Sequence, residues 1–336
     1  MLRILFCLLA MLVRTAPALA QSSSTVIPPT LADFGLRRYT MRFGTDTVDV
    51  LVQSRPGDEN QRKPIVLWVQ GSLPNPVCLY DERGKFGVFP FNNKPALANC
   101  HFVIIGKPGI PLVAGVQQLN SSKAFVDKTT GIPPAYYCQR DYVDYYVRRD
   151  VAVLKYLKKQ PWVDPRHITA IGHSAGSTIV ARLAATPGAV SRVGYLSGNP
   201  LGRMLSNLAD VRLEADSAGA KQMFDYWQQV VAKPTDQTCT PGDTNLATFS
   251  FSEAPLPYLL KAKVPLFIGY GTRDKAVLSD DYLRLETIRL RKTNFIFHAY
   301  EGREHNFFGF KNGALNYNDF GWDKVGEDLL RWAGVW

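Results

Sequence analysis

Ala170-Ile171-Gly172-His173-Ser174-Ala175-Gly176-Ser177 is the stretch on which the reading of the fold turns. Its central five residues have the pattern G-x-S-x-G. An apolar run from His167 to Ile171 leads in as a strand, and a helical pattern from Ala175 to Ala185 leads out. Strand, sharp turn and helix are the setting in which a serine stands exposed at a strained bend, the nucleophile elbow. Gly172 and Gly176 leave room for that bend, because neither carries a Cβ to meet the neighbouring strand or helix. The pentapeptide alone also occurs by chance in loops, so its weight rests on the residues around it.

Upstream, Lys63 to Gln70 is a strand carrying an unbroken apolar run, stopped by Gly71-Ser72-Leu73-Pro74-Asn75-Pro76. Cys100 to Gly106 is a second such strand. Runs of this kind belong to parallel sheets buried on both faces. Before them, Arg38 to Phe43 and Thr47 to Gln53 alternate around Gly44-Thr45-Asp46, the pattern of an antiparallel hairpin. Leu112 to Tyr137 is loop-like. Val143, Val147, Val151, Leu154 and Leu157 give Asp141 to Gln160 a helical period, which Pro161 to Pro165 ends.

Downstream, Arg192 to Leu196 and Lys263 to Tyr270 are strands, and Asn294 to Tyr300 is the last. Helices are expected at Asp280 to Arg291, with Ser279 as N-cap, and at Asn318 to Trp332. Alternating strands and helices with right-handed crossovers predict an α/β chain with a mostly parallel, doubly wound sheet. Gly202 to Lys233 adds helical pattern where the alternation needs one helix only. About 203–255 is therefore expected to be an inserted helical cap within a single domain spanning 21–336.

A serine hydroxyl is a weak nucleophile at neutral pH. It needs an adjacent base, and the base needs a group that orients it. After an elbow, the order should be acid and then base, on loops at the carboxyl ends of strands. His305 fits the base, in a loop after the last strand. His101, His167 and His298 begin or lie within strands, and the His173 ring should point away from the Ser174 hydroxyl. Asp274 fits the acid, just beyond the strand ending at Tyr270. Asp280 and Asp281 read as first-turn helix charges, and Glu301 and Glu304 as solvent-facing. Two backbone N–H groups should receive the developing oxyanion, those of Ala175 and of Ser72 in the Gln70-Gly71-Ser72 loop.

The first 20 residues read as a cleavable signal peptide: Arg3, an apolar run from Ile4 to Val13, and Ala18-Leu19-Ala20 ahead of Gln21. The run is too short to span a bilayer comfortably. A secreted or periplasmic protein without a stable membrane anchor is expected. Formal net charge is +10, or +8 once Arg3 and Arg14 are removed with the leader. The excess is scattered and accompanies no recognition motif, which argues against a nucleic-acid partner. Beyond the leader stand Cys78, Cys100, Cys138 and Cys239. An even number in an exported chain suggests disulfides, with three connectivities open. Cys78–Cys100 with Cys138–Cys239 is preferred, because the second bond would staple the cap to the body.

From the hairpin near Arg38 to the last helix, the chain resembles the α/β-hydrolases. The Gln70-Gly71-Ser72 loop, the Gly172 to Gly176 elbow, Asp274 and His305 carry the resemblance. The run from Asp150 through Lys158, Pro161, Asp164 and Pro165 into the elbow is similar to the dienelactone-hydrolase and prolyl-oligopeptidase-like branch. The resemblance implies an eight-stranded sheet with helices on both faces. It also implies cleavage of an ester, thioester or amide through an acyl-enzyme, with no cofactor and no metal. Some relatives place the acid at the end of the preceding strand, where this chain has the uncharged Asn199. Many have His-Gly in the oxyanion loop where this chain has Gln70-Gly71, which keeps the backbone donor and loses the imidazole. A small-molecule ester is the expected substrate. A small peptidase, amidase or thioesterase is the alternative, and a non-catalytic binding protein of the same fold stands further off. Arg212, Glu214, Asp216 and Lys221 interrupt the cap and disfavour a long-chain lipase.

Overall fold

The computed structural model describes residues 27–87, 89–214 and 217–336. The expected signal peptide and its cleavage site lie outside the described residues. No helix among the described residues is long and apolar enough to cross a membrane.

The chain opens with the expected hairpin, β1 (Leu36–Phe43) against β2 (Asp46–Gln53). β3 (Lys63–Val69) follows, then β4 (Cys78–Asp81), β5 (Gly84–Phe86), β6 (His101–Ile105) and β7 (Val113–Gly115). After a single turn, α1 (Ala135–Cys138), come α2 (Val143–Leu157), β8 (Val163–His173), α3 (Ala175–Ala185) and β9 (Arg192–Leu196). Four helices separate β9 from β10 (Leu266–Gly271): α4 (Arg203–Glu214), α5 (Ser217–Ala232), α6 (Asn245–Phe251) and α7 (Leu256–Lys261). The chain closes with α8 (Val277–Arg289), β11 (Phe295–Tyr300), β12 (Phe308–Lys311), β13 (Ala314–Phe320) and α9 (Trp322–Ala333).

Eight strands form the main sheet in the order β1-β2-β6-β3-β8-β9-β10-β11. From β6 to β11 every neighbouring pair is parallel, while β1, β2 and β6 pair antiparallel. Alternating side chains of β3 feed two cores. Ile65, Leu67 and Val69 pack on one face with Val153, Leu154, Ile179 and Val180 of α2 and α3. Val66 and Trp68 pack on the other with Val325, Leu329 and Leu330 of α9. Both faces are covered, which is why these strands read as continuous apolar runs.

Four expectations need correction. β8 begins at Val163, inside the stretch read as a turn, with a register shift against β3 between Lys63 and Ile65 that absorbs Pro165. Residues 318–320 belong to β13 rather than to the last helix. β12 and β13 form a hairpin over Asn312-Gly313, whose φ values of 52° and 80° suit the primed turns that join twisted strands. α8 begins at Val277 with Ala276 at its N-cap, and Ser279 Oγ donates back to the Ala276 carbonyl at 2.7 Å. Finally, Cys138 and Cys239 are bonded, with Cα atoms 5.7 Å apart, whereas Cys78 and Cys100 are buried free thiols. Separate elements hold these two. Cys78 opens β4 opposite Val113, and Cys100 precedes β6, where its thiol donates to the Ala96 carbonyl at 3.3 Å. Burial pushes both thiols up to about 12, so neither offers a thiolate to oxidation.

Candidate active site

Ser174 links β8 to α3 with φ 56° and ψ −125°, a conformation a side chain adopts only when its surroundings impose it. The imposition is close packing. A Cβ on Gly172 would lie 2.2 Å from the Gly176 carbonyl oxygen, and one on Gly176 would lie 2.3 Å from that of Val69. Ser174 N–H donates to Leu196 O at the end of β9 (3.1 Å), and Ser174 O accepts from Ser177 N–H (3.0 Å) and Ser177 Oγ (2.5 Å).

Asp274 stands three residues beyond β10, and His305 five beyond β11. His305 Nδ1 lies 2.8 Å from Asp274 Oδ2, and His305 Nε2 lies 3.0 Å from Ser174 Oγ. An ionised carboxylate only accepts, so the proton sits on Nδ1 and leaves Nε2 to accept from the serine hydroxyl. Asp274 is 2% exposed, and its second oxygen accepts from Ala276 N–H at 3.0 Å. The three side chains predicted from sequence thus meet at the carboxyl ends of parallel strands, where ligands of open α/β sheets are bound.

Several hydrogen bonds hold the loop that bears His305. Arg273 N–H donates to Arg303 O (2.8 Å), and Thr272 Oγ1 accepts from Gly302 N–H (2.9 Å), which stitches the loop bearing Asp274 to the loop bearing His305. Glu304, expected to face solvent, is half-buried. One of its oxygens accepts the N–H groups of Asn306 (2.8 Å) and Phe308 (3.0 Å) around His305. Arg303 reaches Asp319 of β13 at 2.6 Å. His173 points away from the serine, as expected, and its Nε2–H donates to the His305 carbonyl at 2.9 Å. Burial, then the nearby His305, lowers His173 to about 3, which keeps it a neutral donor. Its ring packs on Trp322 at 4.9 Å between centroids.

Asp280 lies in the first turn of α8, as expected. It is fully buried, and neither carboxyl oxygen has a hydrogen-bond partner among the described residues. Burial, and then the charges of Asp274 and Asp281, push its carboxyl well up and favour its neutral form.

Gly71 brings the β3 loop against the serine, since a Cβ there would lie 3.6 Å from Ser174 Cβ. Among the described residues no protein acceptor is bound to the N–H of Ser72 or of Ala175. The serine and His305 open into a cleft of about 700 Å³. Trp68, Phe89 and Trp322 are among its apolar lining, and Asn199, Arg203 and Lys275 among its polar lining. Phe224, Tyr226 and Trp227 stay outside it, and Trp227 stacks on Phe249 within the four-helix stretch. No three His, Cys, Asp or Glu side chains among the described residues cluster as metal ligands would.

No family model matches the sequence, and no curated protein does either. Solved structures do. A 2,6-dihydroxy-pseudo-oxynicotine hydrolase matches over 81% of this chain at 15% identity and a TM-score of 0.50. An acylaminoacyl peptidase from Pyrococcus horikoshii matches over 88% at 14% identity and a TM-score of 0.54. Est1E from Butyrivibrio proteoclasticus matches over 88% at 12% identity and a TM-score of 0.51.

The chain has the α/β-hydrolase fold.

It spans 63% of the length of the first of these proteins, 41% of the second and 96% of the third. Within an α/β-hydrolase frame the turn bearing Ser174 joins β8 to α3, the loop bearing Asp274 follows β10, and the loop bearing His305 follows β11.

Proposed function

We propose that the protein is a serine hydrolase that cleaves a carboxylic ester through an acyl-enzyme formed on Ser174. The observation that carries this reading is the continuous hydrogen-bonded relay from Ser174 through His305 to Asp274, with Ser174 and His305 lining an open cleft.

In this reading His305 Nε2 takes the hydroxyl proton as Ser174 Oγ attacks the ester carbonyl. The buried Asp274 holds the ring in the tautomer that can do so and stabilises the imidazolium. The tetrahedral oxyanion is received by the N–H groups of Ser72 and Ala175. Collapse expels the alcohol, which takes the proton from Nε2. Water, activated by the same nitrogen, then attacks the acyl-enzyme and regenerates Ser174. These steps call on no cofactor. The α4 to α7 helices act as the cap: Arg203, Ser206 and Asn207 of α4 contribute one wall of the cleft, so substrate choice falls to them and to the loop after β3.

Ser174→Ala is expected to keep the wild-type melting temperature and to lose turnover of short p-nitrophenyl esters and labelling by a fluorophosphonate. Turnover at the wild-type rate would overturn the reading. An amidase or peptidase reading is supported by the acylaminoacyl peptidase among the structural neighbours, and by a relay that serves either leaving group. Side-by-side rates on p-nitrophenyl esters and aminoacyl anilides separate the two. The leader sequence and the Cys138–Cys239 bond support an exported protein, and the run from Asp150 to Pro165 supports the dienelactone-hydrolase-like branch.

A further inference from the structure

Lys107 stands two residues beyond β6 and is 8% exposed. Its ammonium donates to three consecutive carbonyls, Gly71 O at 2.5 Å, Ser72 O at 3.0 Å and Leu73 O at 2.6 Å. A Tyr137 hydroxyl donates to Ser72 O as well, at 2.6 Å. These are the carbonyls of the loop that abuts Ser174.

A trans peptide is planar, and its C=O points opposite to the N–H of the following residue. Drawing the Gly71 and Ser72 carbonyls toward Lys107 therefore turns the N–H groups of Ser72 and Leu73 to the other side of the loop. Lys107 lies on the core side, in a small enclosed space with Asp141, Tyr146 and Arg149. Ser72 and Leu73 also line the cleft, together with Ser174 and His305. We propose that Lys107 is a positioning residue for the oxyanion site: it holds the 71–73 carbonyls so that the amides behind them face the oxygen of the tetrahedral adduct on Ser174. Its charge also polarises those peptides in the sense that strengthens their N–H groups as donors. This proposal rests on the reading of Ser174 as nucleophile.

A buried cation is costly without compensation, and here the three carbonyls and Asp141 supply it. The charged and titratable groups facing Lys107 are Asp141, Arg149, Asp243, Tyr137 and Tyr146. Arg149 is engaged by Asp150 at 2.9 Å. Burial, with Arg149 adding to it, brings Lys107 down to about 8, against the pull of Asp141 and Asp243. As pH rises through that value the ammonium becomes an amine. One donor and the charge are lost, and the loop amides are no longer held.

The test compares the wild type with Lys107→Met, a variant of similar length and no charge, on p-nitrophenyl acetate and butyrate. Loss of one oxyanion donor costs kcat on the order of a hundredfold, and a drop of that order with KM changed less than about threefold is expected. Affinity for a peptidyl or alkyl boronate, which places a charged oxygen in the same site, should fall in step with kcat. The wild type should show an alkaline limb in kcat near pH 8 that Lys107→Met lacks. A folded Lys107→Met with kcat within twofold of wild type overturns the proposal. If the variant does not fold, Lys107→Gln, which keeps a donor without the charge, takes its place: a kcat within about twofold of wild type overturns the proposal, and a fall of about tenfold or more with KM little changed supports it. Ser174→Ala run alongside separates the two readings. Its loss of turnover with no change in Lys107→Met defeats the present proposal alone, whereas its retention of turnover defeats both.

Discussion

His173 is the residue at which sequence and chemistry diverge most usefully. It lies inside the elbow, yet its work is to hold the loop of another histidine. Its lowered affinity for protons has a sign that can be tested. The folded chain excludes a proton down to about pH 3, while the unfolded chain takes one at the ordinary 6.5. Between those values the unfolded state binds more protons, so stability falls as pH falls. Asp141 works the other way. Its folded carboxyl is raised to about 6 by burial, so it costs stability as pH rises from 3.8. The clean observable is therefore a difference. His173→Gln keeps an N–H donor and cannot take a proton, and its melting temperature should decline less between pH 6.5 and pH 4 than that of the wild type. The meeting of Ser174, Asp274 and His305 was legible because each proposed role demands one residue type at one place in a chain order. Glu304 and Lys107 were not, because their partners are backbone groups, and any residue supplies those. The burial of Asp280 was not legible, because an acid near a helix start has the same local pattern whether its turn is wetted or buried.

At the scale of elements, strand and helix existence followed from apolar periodicity, while boundaries followed from contacts that periodicity does not encode. The β12–β13 hairpin is the instructive case. Asn312-Gly313 between Phe308-Gly309-Phe310 and Leu315 is a hairpin signal in its own right, but the amphipathic pattern of α9 drew the helix start forward into β13. The elbow shows the reverse, a local signal strong enough to fix three elements. α3 can approach β3 only because Gly176 has no side chain, the nearest atom being the Val69 carbonyl. Gly176→Ala is expected to lower the melting temperature through strain of the overpacking kind, about 1–3 kcal/mol or more. Gly242→Ala, where the nearest atom is the flexible Thr240 hydroxyl at 4.0 Å, should leave it nearly unchanged. Thermal unfolding of the pair measures the contrast.

The whole molecule was readable as a doubly wound sheet because buried parallel strands leave unbroken apolar runs, and no such rule chooses disulfide partners. Cys138–Cys239 formed and Cys78–Cys100 did not, a distinction that depends on which elements the fold sets side by side. The bond spans 101 residues, and cross-links of that length restrict the unfolded chain by about 4–5 kcal/mol in the chain-entropy description. Reduction should therefore lower the melting temperature. Under native, non-reducing conditions a thiol reagent should find neither Cys78 nor Cys100 until the protein unfolds. The same bond has a topological consequence. It closes a ring that contains α2, the elbow, α3, β9 and the first two helices after it. A protease that nicks the backbone anywhere between Cys138 and Cys239 cuts the ring without releasing a fragment. After a nick between Ser174 and Cys239 the piece bearing Ser174 stays tethered to the piece bearing Asp274 and His305, and the nick becomes visible as two pieces only after the sulfurs are parted.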